Sequence, residues 1–271
     1  MIRVELRKLL TRPRTWVSIG SLCLLPTIVA VFLAVSGVAP RPGQGPVFLS
    51  AVISAGQLYP AAALGIVLPI FLPLSVAVVA GEAIAGEAST GTLRYLVARP
   101  AGRTRLLVAK LVAVTAYTLL AVLCVAGTGY LAGILLLGDA SLETATTTIS
   151  GTPLTAPQLL LRTVLMLGYI GWSMLGVASV SLFLSTLTDS PLAAALGGLA
   201  VLVGSTVLVT LDAAESVREW LPTRFWLSWV DLFRDPILWH DVQRGVAVQG
   251  AWIAVLLAAA WANFATRDIT S

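Results

Sequence analysis

"GEAIAGEASTGTLRYLVARPAGRTRLLVAK" occupies residues 81–110 and carries Glu82, Glu87, Arg94, Arg99, Arg103, Arg105 and Lys110. On either side of it the chain is uncharged and apolar for more than twenty residues. A hydrocarbon core of roughly 30 Å needs about 20 apolar residues in a helix, so the flanks can lie inside a bilayer and the charged segment outside it. Working outward, six such runs lie near 17–37, 57–80, 111–137, 163–185, 191–211 and 246–266, none containing Asp, Glu, Lys or Arg. Across the chain 58% of residues are hydrophobic and 11% charged, with a mean hydropathy of +0.93. Soluble domains carry roughly 25% charged residues. The chain reads as a membrane protein.

Lipid offers no partners to backbone N–H and C=O groups, and the runs lack the period-two alternation of a barrel strand. The expected fold is therefore all-α: a single polytopic unit over residues 1–271 with six transmembrane helices. Orientation follows from the cations. Arg3, Arg7, Lys8, Arg12 and Arg14 precede the first run, five more stand in 81–110, and Arg267 follows the sixth. Arg41, Arg162, Arg218, Arg224, Arg234 and Arg244 fall on the other side. The positive-inside rule then makes both termini cytoplasmic, in the cytoplasmic membrane.

The amino terminus reads as a transmembrane start and not as a cleaved leader, because the run from Val17 to Val38 exceeds the usual 7 to 15 residue core of a signal peptide. Within residues 1–16, Ile2, Leu6, Leu9 and Leu10 follow helical spacing while the cations fall largely elsewhere on the wheel. This segment is either an interfacial elbow helix ended by Pro13 or simply a basic flank that sets topology.

Chemistry-bearing side chains are sparse. Cys23 and Cys124 lie inside predicted spans, where a thiol packs as a small apolar group, and with the lone His240 they form no metal spacing. None of the six runs holds an ionisable residue, which disfavours an intrinsic proton relay. Neither Lys8 nor Lys110 sits in a phosphate-binding G-x-x-x-x-G-K-[ST] loop. No cofactor is expected in this chain. Energy for active transport has to come from a partner.

Two further patterns concern packing. Gly129 and Gly133, Ala193 and Gly197, and Ala194 and Gly198 are small-xxx-small pairs that let helices approach closely. Pro60, Pro69 and Pro73 invite kinks in the second span. Residues 138–157 read as an exposed loop. Residues 212–245 mix Trp220, Trp226 and Trp229 with charge, the composition of a membrane interface.

In 81–110, Ser89 and Thr90 have the chemistry to cap a short helix starting near Gly91, with Leu93, Leu96 and Val97 on one face and Pro100 ending it. Glu82, Glu87, Arg94, Arg99 and Arg103 would rim that face, as around a protein contact.

This stretch resembles the cytoplasmic signature of ABC-2 type permeases, the membrane subunits of ATP-binding-cassette exporters. The matching positions are Glu87, Gly91, Thr92, Leu93, Pro100, Arg103 and Lys110. "ELRKLLTRPRTW", residues 5–16, is similar to the elbow-helix start of such subunits. The resemblance implies a coupling helix over Gly91 to Val97 that docks on an ATPase subunit, with Glu82 and Glu87 as polar contacts. It also implies two ATPase copies holding ATP and Mg²⁺, a second six-span permease, identical or paralogous, and no nucleic-acid partner. For 212–245 it implies short re-entrant helices on the outer side, beside the simpler reading of aromatic belt anchoring. The substrate is not legible. Two other classes stay open: an integral-membrane enzyme, for which no catalytic constellation appears, and a non-translocating scaffold that binds an ATPase.

Overall fold

The computed structural model describes residues 1–37, 48–49, 56–91, 102–137 and 154–266. Among these the regular structure is all helical, and six helices are long and apolar enough to cross a membrane. Helix α1, Ile2–Thr11, leads through Arg12 into α2, Pro13–Ser36. Arg12 is extended at φ −77° and ψ 125°, as expected of a residue forced out of the helical region by the following proline. Pro13 then opens α2, where its missing N–H costs nothing. Of the two readings the sequence left open, the structure has a helix before Pro13 and a turn at it, the shape of an elbow. Leu9 is buried, Leu6 is half-buried, and Ile2 and Leu10 stay exposed on the outer side of α1.

The predicted second span, 57–80, is not one helix. It divides into α3, Tyr59–Val67, and α4, Phe71–Ser89, separated by a turn at Leu68, Pro69 and Ile70. Ile70 leaves the helical region at φ −137° and ψ −55°. Pro69 and Pro73 lack the N–H groups that would carry the ladder across this point. The expected kink is a break. Helix α4, not the whole of 57–80, is the span, and it runs on to Ser89 past Glu82 and Glu87.

Three of the remaining four spanning helices also outrun their apolar windows, at the starts, and only the one that opens at Pro191 begins where its window does. Helix α5 covers Arg103–Leu137, α6 Ala156–Leu187, α7 Pro191–Thr210 and α9 Trp239–Thr266. A capping box at Thr155 and Gln158 begins α6, and the Ser190 hydroxyl accepts from the Ala193 N–H to begin α7. Apolarity marks where lipid is, but a hydrogen-bonded helix ends only where its ladder does. As a result Glu82, Glu87, Lys110 and Arg162 sit on spanning helices, although the uncharged runs contain no ionisable group.

Helix α6 is the hub, packing on α4, α5, α7 and α9. In its most apolar window 72% of residues are buried, against 17% in α9, which faces outward. Small residues set the close contacts. A Cβ on Gly133 would lie 2.1 Å from the Gly56 carbonyl oxygen and 2.9 Å from Tyr59 Cβ, so α5 touches the start of α3 through bare backbone. A Cβ on Gly198 would lie 2.1 Å from Ser181 Oγ, and one on Gly81 would lie 2.8 Å from the Ala195 nitrogen. The small-xxx-small pairs are used inside the chain.

Candidate functional site at the elbow helix

The signature residues that open and close 81–110 meet in the folded chain. Lys110, near the start of α5, is 6% exposed. Its ammonium donates at 2.9 Å to Glu87 Oε1 near the end of α4, and at 2.9 Å to Glu5 Oε2 of α1. Lys8 of α1 completes the ring, 3.2 Å from Glu87 Oε1 and 3.3 Å from Glu5 Oε1. Two cations alternate with two carboxylates and the charge sums to zero, which is what lets three of the four side chains be 13% exposed or less.

Burial, the largest single influence on Lys8, pulls its ammonium down, but the hydrogen bonds and charges of Glu87 and Glu5 together outweigh it. The group lies above the ordinary lysine value. Lys8 therefore stays charged.

Neighbouring signature residues are tied differently. Glu82 accepts from Arg14 at 3.1 Å in an exposed pair. Arg103 Nη1 donates to the carbonyls of Phe264 and Ala265 at 3.3 and 2.8 Å, meeting the negative end of α9. Trp261 of α9 adds a bond to Thr104 Oγ1 at 3.0 Å. Arg103 thus holds two helices together, where its sequence pattern suggests a rim charge.

Ser89 and Thr90 stand at the end of α4, and the helix expected after them lies outside the described residues. Their hydroxyls donate back to the Gly86 carbonyl at 3.1 and 3.0 Å, and Gly91 at φ +69° closes α4 in the left-handed region. Glycine suits that position because side chains disfavour it. Thr92, Leu93, Leu96, Val97, Arg99 and Pro100 lie outside the described residues.

Between α1, the first turns of α2, and α4 lies a cleft of about 870 Å³ whose walls include the ring. Its polar margin carries Arg12 and Arg14, and Val78, Val79 and Ala83 supply an apolar wall.

The profile of the ABC-2 family transporter proteins matches residues 1–196, which hold the elbow, the ring and the cleft. The chain belongs to the ABC-2 transporter family. It is a multi-pass membrane permease of an ATP-binding-cassette transporter, a family that works with an ATP-binding-cassette ATPase. Comparison with characterised proteins gives no match.

The family match stops inside α7, so residues 212–245 of this ABC-2 permease lie beyond it. That segment forms short helical turns at Asp212–Ala214, Glu215–Arg218 (α8) and Ser228–Phe233. Trp220 is exposed, in keeping with an interface. Trp226 and Trp229 correct the belt reading: they are 8% and 0% exposed and point into the protein. Trp229 meets Phe233 edge to face at 6.4 Å and tilts against Phe48 at 5.9 Å. Tyr169 of α6 donates to the Phe225 carbonyl at 2.6 Å, Arg162 to the Arg234 carbonyl at 2.9 Å, and Gln249 of α9 to the Pro222 carbonyl. The turns are clamped onto α6 and α9.

Sequence reasoning picked out Glu87 and Lys110 singly but missed Glu5 and Lys8 as their partners. The available signal was Glu5 itself, the only acid in the otherwise basic segment of residues 1–16.

Proposed function

We propose that this permease is the membrane half of an exporter, driven by ATP hydrolysis on a separate ATPase subunit that docks on residues 91–97. The carrying observation is the buried ring Glu5–Lys110–Glu87–Lys8. Glu87 stands just before the docking segment and Lys110 just after it, so the ring ties both ends of that segment to each other and to the elbow. A push on the loop reaches α4, α5 and α1 together and does not flex one helix end alone. Two such ATPase copies, each with ATP and Mg²⁺, and a second six-span permease complete the proposed transporter. Both termini face the cytoplasm.

Lys8 and Lys110 are committed to carboxylates, which supports placing nucleotide chemistry on the partner. Leu93 and Leu96 anchor the contact, each contributing about 1 to 3 kcal/mol when buried. The experiment compares Leu96→Asp with Thr147→Asp for membrane expression, co-purification of the ATPase and ATP hydrolysis by the complex. Leu96→Asp should express normally and lose the ATPase, and Thr147→Asp should keep it. Full association and hydrolysis with Leu96→Asp would refute the docking assignment. Robust hydrolysis by the isolated permease would refute the division of labour.

A further inference from the structure

We infer that the cleft beside the elbow binds an anionic phospholipid of the adjoining leaflet, its phosphate held by Arg12, Arg14 and Thr15 and an acyl chain laid along Val78, Val79 and Ala83. The inference does not depend on the direction of transport.

Charge comes first. Of the cations lining the cleft, Lys8 and Lys110 are spent on Glu5 and Glu87, and Arg14 meets Glu82. Arg12 makes no ion pair with a described residue, so the margin has a surplus positive charge. The Arg14–Glu82 pair is itself weak, with Arg14 82% exposed, and Arg14 can turn to an incoming anion at little cost.

Hydrogen-bond donors come second. Thr15 lines the cleft, is only 6% exposed, and its hydroxyl bonds to no described residue. The rest of the side chain is buried, so the hydroxyl is held in place on the cleft wall with its donor available to a ligand atom. Beside it, α2 starts at Pro13 with no side-chain cap and no acid in its first turn, so the positive end of its dipole is unanswered. Two guanidinium forks, a hydroxyl and a free helix end together suit a tetrahedral oxyanion.

The apolar wall then chooses a lipid over a soluble phosphate. Val78, Val79 and Ala83 line the same cleft, and Val78 is partly exposed, which connects it to the lipid-facing surface. A volume of about 870 Å³ accommodates a headgroup and part of a chain.

The test is native mass spectrometry of the full-length, delipidated permease titrated with phosphatidylglycerol, phosphatidylcholine or glycerol phosphate. Phosphatidylglycerol should bind saturably to the wild type and to Arg105→Ala, an exposed cation outside the cleft. The double variant Arg12→Ala/Arg14→Ala should bind it about tenfold more weakly, and Val79→Trp should lose it by filling the chain site. Thr15→Val keeps the shape of the helix and should weaken binding about threefold, which decides the matter if the double variant misfolds. Equal affinity in wild type, Thr15→Val and the double variant would overturn the inference. So would equal binding of phosphatidylcholine, or displacement of phosphatidylglycerol by glycerol phosphate at similar concentration.

Discussion

Lys110 Nζ stands 2.9 Å from Glu87 Oε1, joining α4 and α5 across the segment that separates them in the chain. The same ammonium is 2.9 Å from Glu5, so removing it takes a cation from two carboxylates at once and leaves both facing Lys8. Lys110→Met should destabilise the permease by about 3 to 5 kcal/mol, the range for breaking a buried pair from one side. Adding Glu5→Gln and Glu87→Gln should recover part of that loss, because both buried carboxylates are then neutral and the charge left over is the half-buried Lys8 ammonium, which can turn to water. Thermal unfolding in detergent reads both variants, and a triple variant no more stable than the single would contradict the ring.

Alkaline pH tests the fourth member. The Lys8 ammonium is raised above 10.5 in the fold, despite burial, by Glu87 and Glu5. A raised folded value means its contribution is complete below 10.5 and is lost as pH climbs through the folded value. The unfolding midpoints of wild type and Lys8→Met should differ by a constant amount up to about pH 10 and converge above it. A gap that stays constant in stronger alkali would show that Lys8 acts by packing alone.

Two glycines of α5 should respond oppositely. Gly133→Ala drives a methyl into the Gly56 carbonyl, 2.1 Å away, and has to pry α3 off α5. Gly127 has nothing within 4 Å of its added carbon, so Gly127→Ala should be neutral or stabilising by about 0.5 to 1 kcal/mol. Similar losses at both positions would refute the close α3 contact.

Single-tryptophan permeases distinguish Trp220 from Trp229. Trp220, 68% exposed, should be quenched by lipids brominated near the headgroup. Trp229, fully buried, should resist bromine at every depth. Strong quenching of Trp229 would put it back in the lipid belt.

Six spans, the elbow and its proline turn were legible because each depends on local rules: run length, helical spacing and the φ restriction at Pro13. What was not legible depends on distant partners. Lys110 and Arg162 look like loop residues until Glu5 and Glu87, or the Arg234 carbonyl, are brought beside them. Trp226 and Trp229 have belt composition, yet α6 and α9 cover them, and a tryptophan packs as well against protein as against lipid. The break at Leu68–Ile70 was only half legible. Three prolines announce bending, but they do not say which one severs the helix.

The ring also has a consequence for biogenesis. Glu5 leaves the ribosome long before its main partner, Lys110, which emerges only after two spans and the intervening charged segment have been synthesised. Until then the early carboxylate has Lys8 alone for company, and Glu87 joins it as a second acid before Lys110 arrives to balance the group. The elbow is therefore made before the spans it rests on and settles after them. Its seating waits on insertion of the third span, which makes the amino-terminal helix a marker of completed assembly in the front half of the permease.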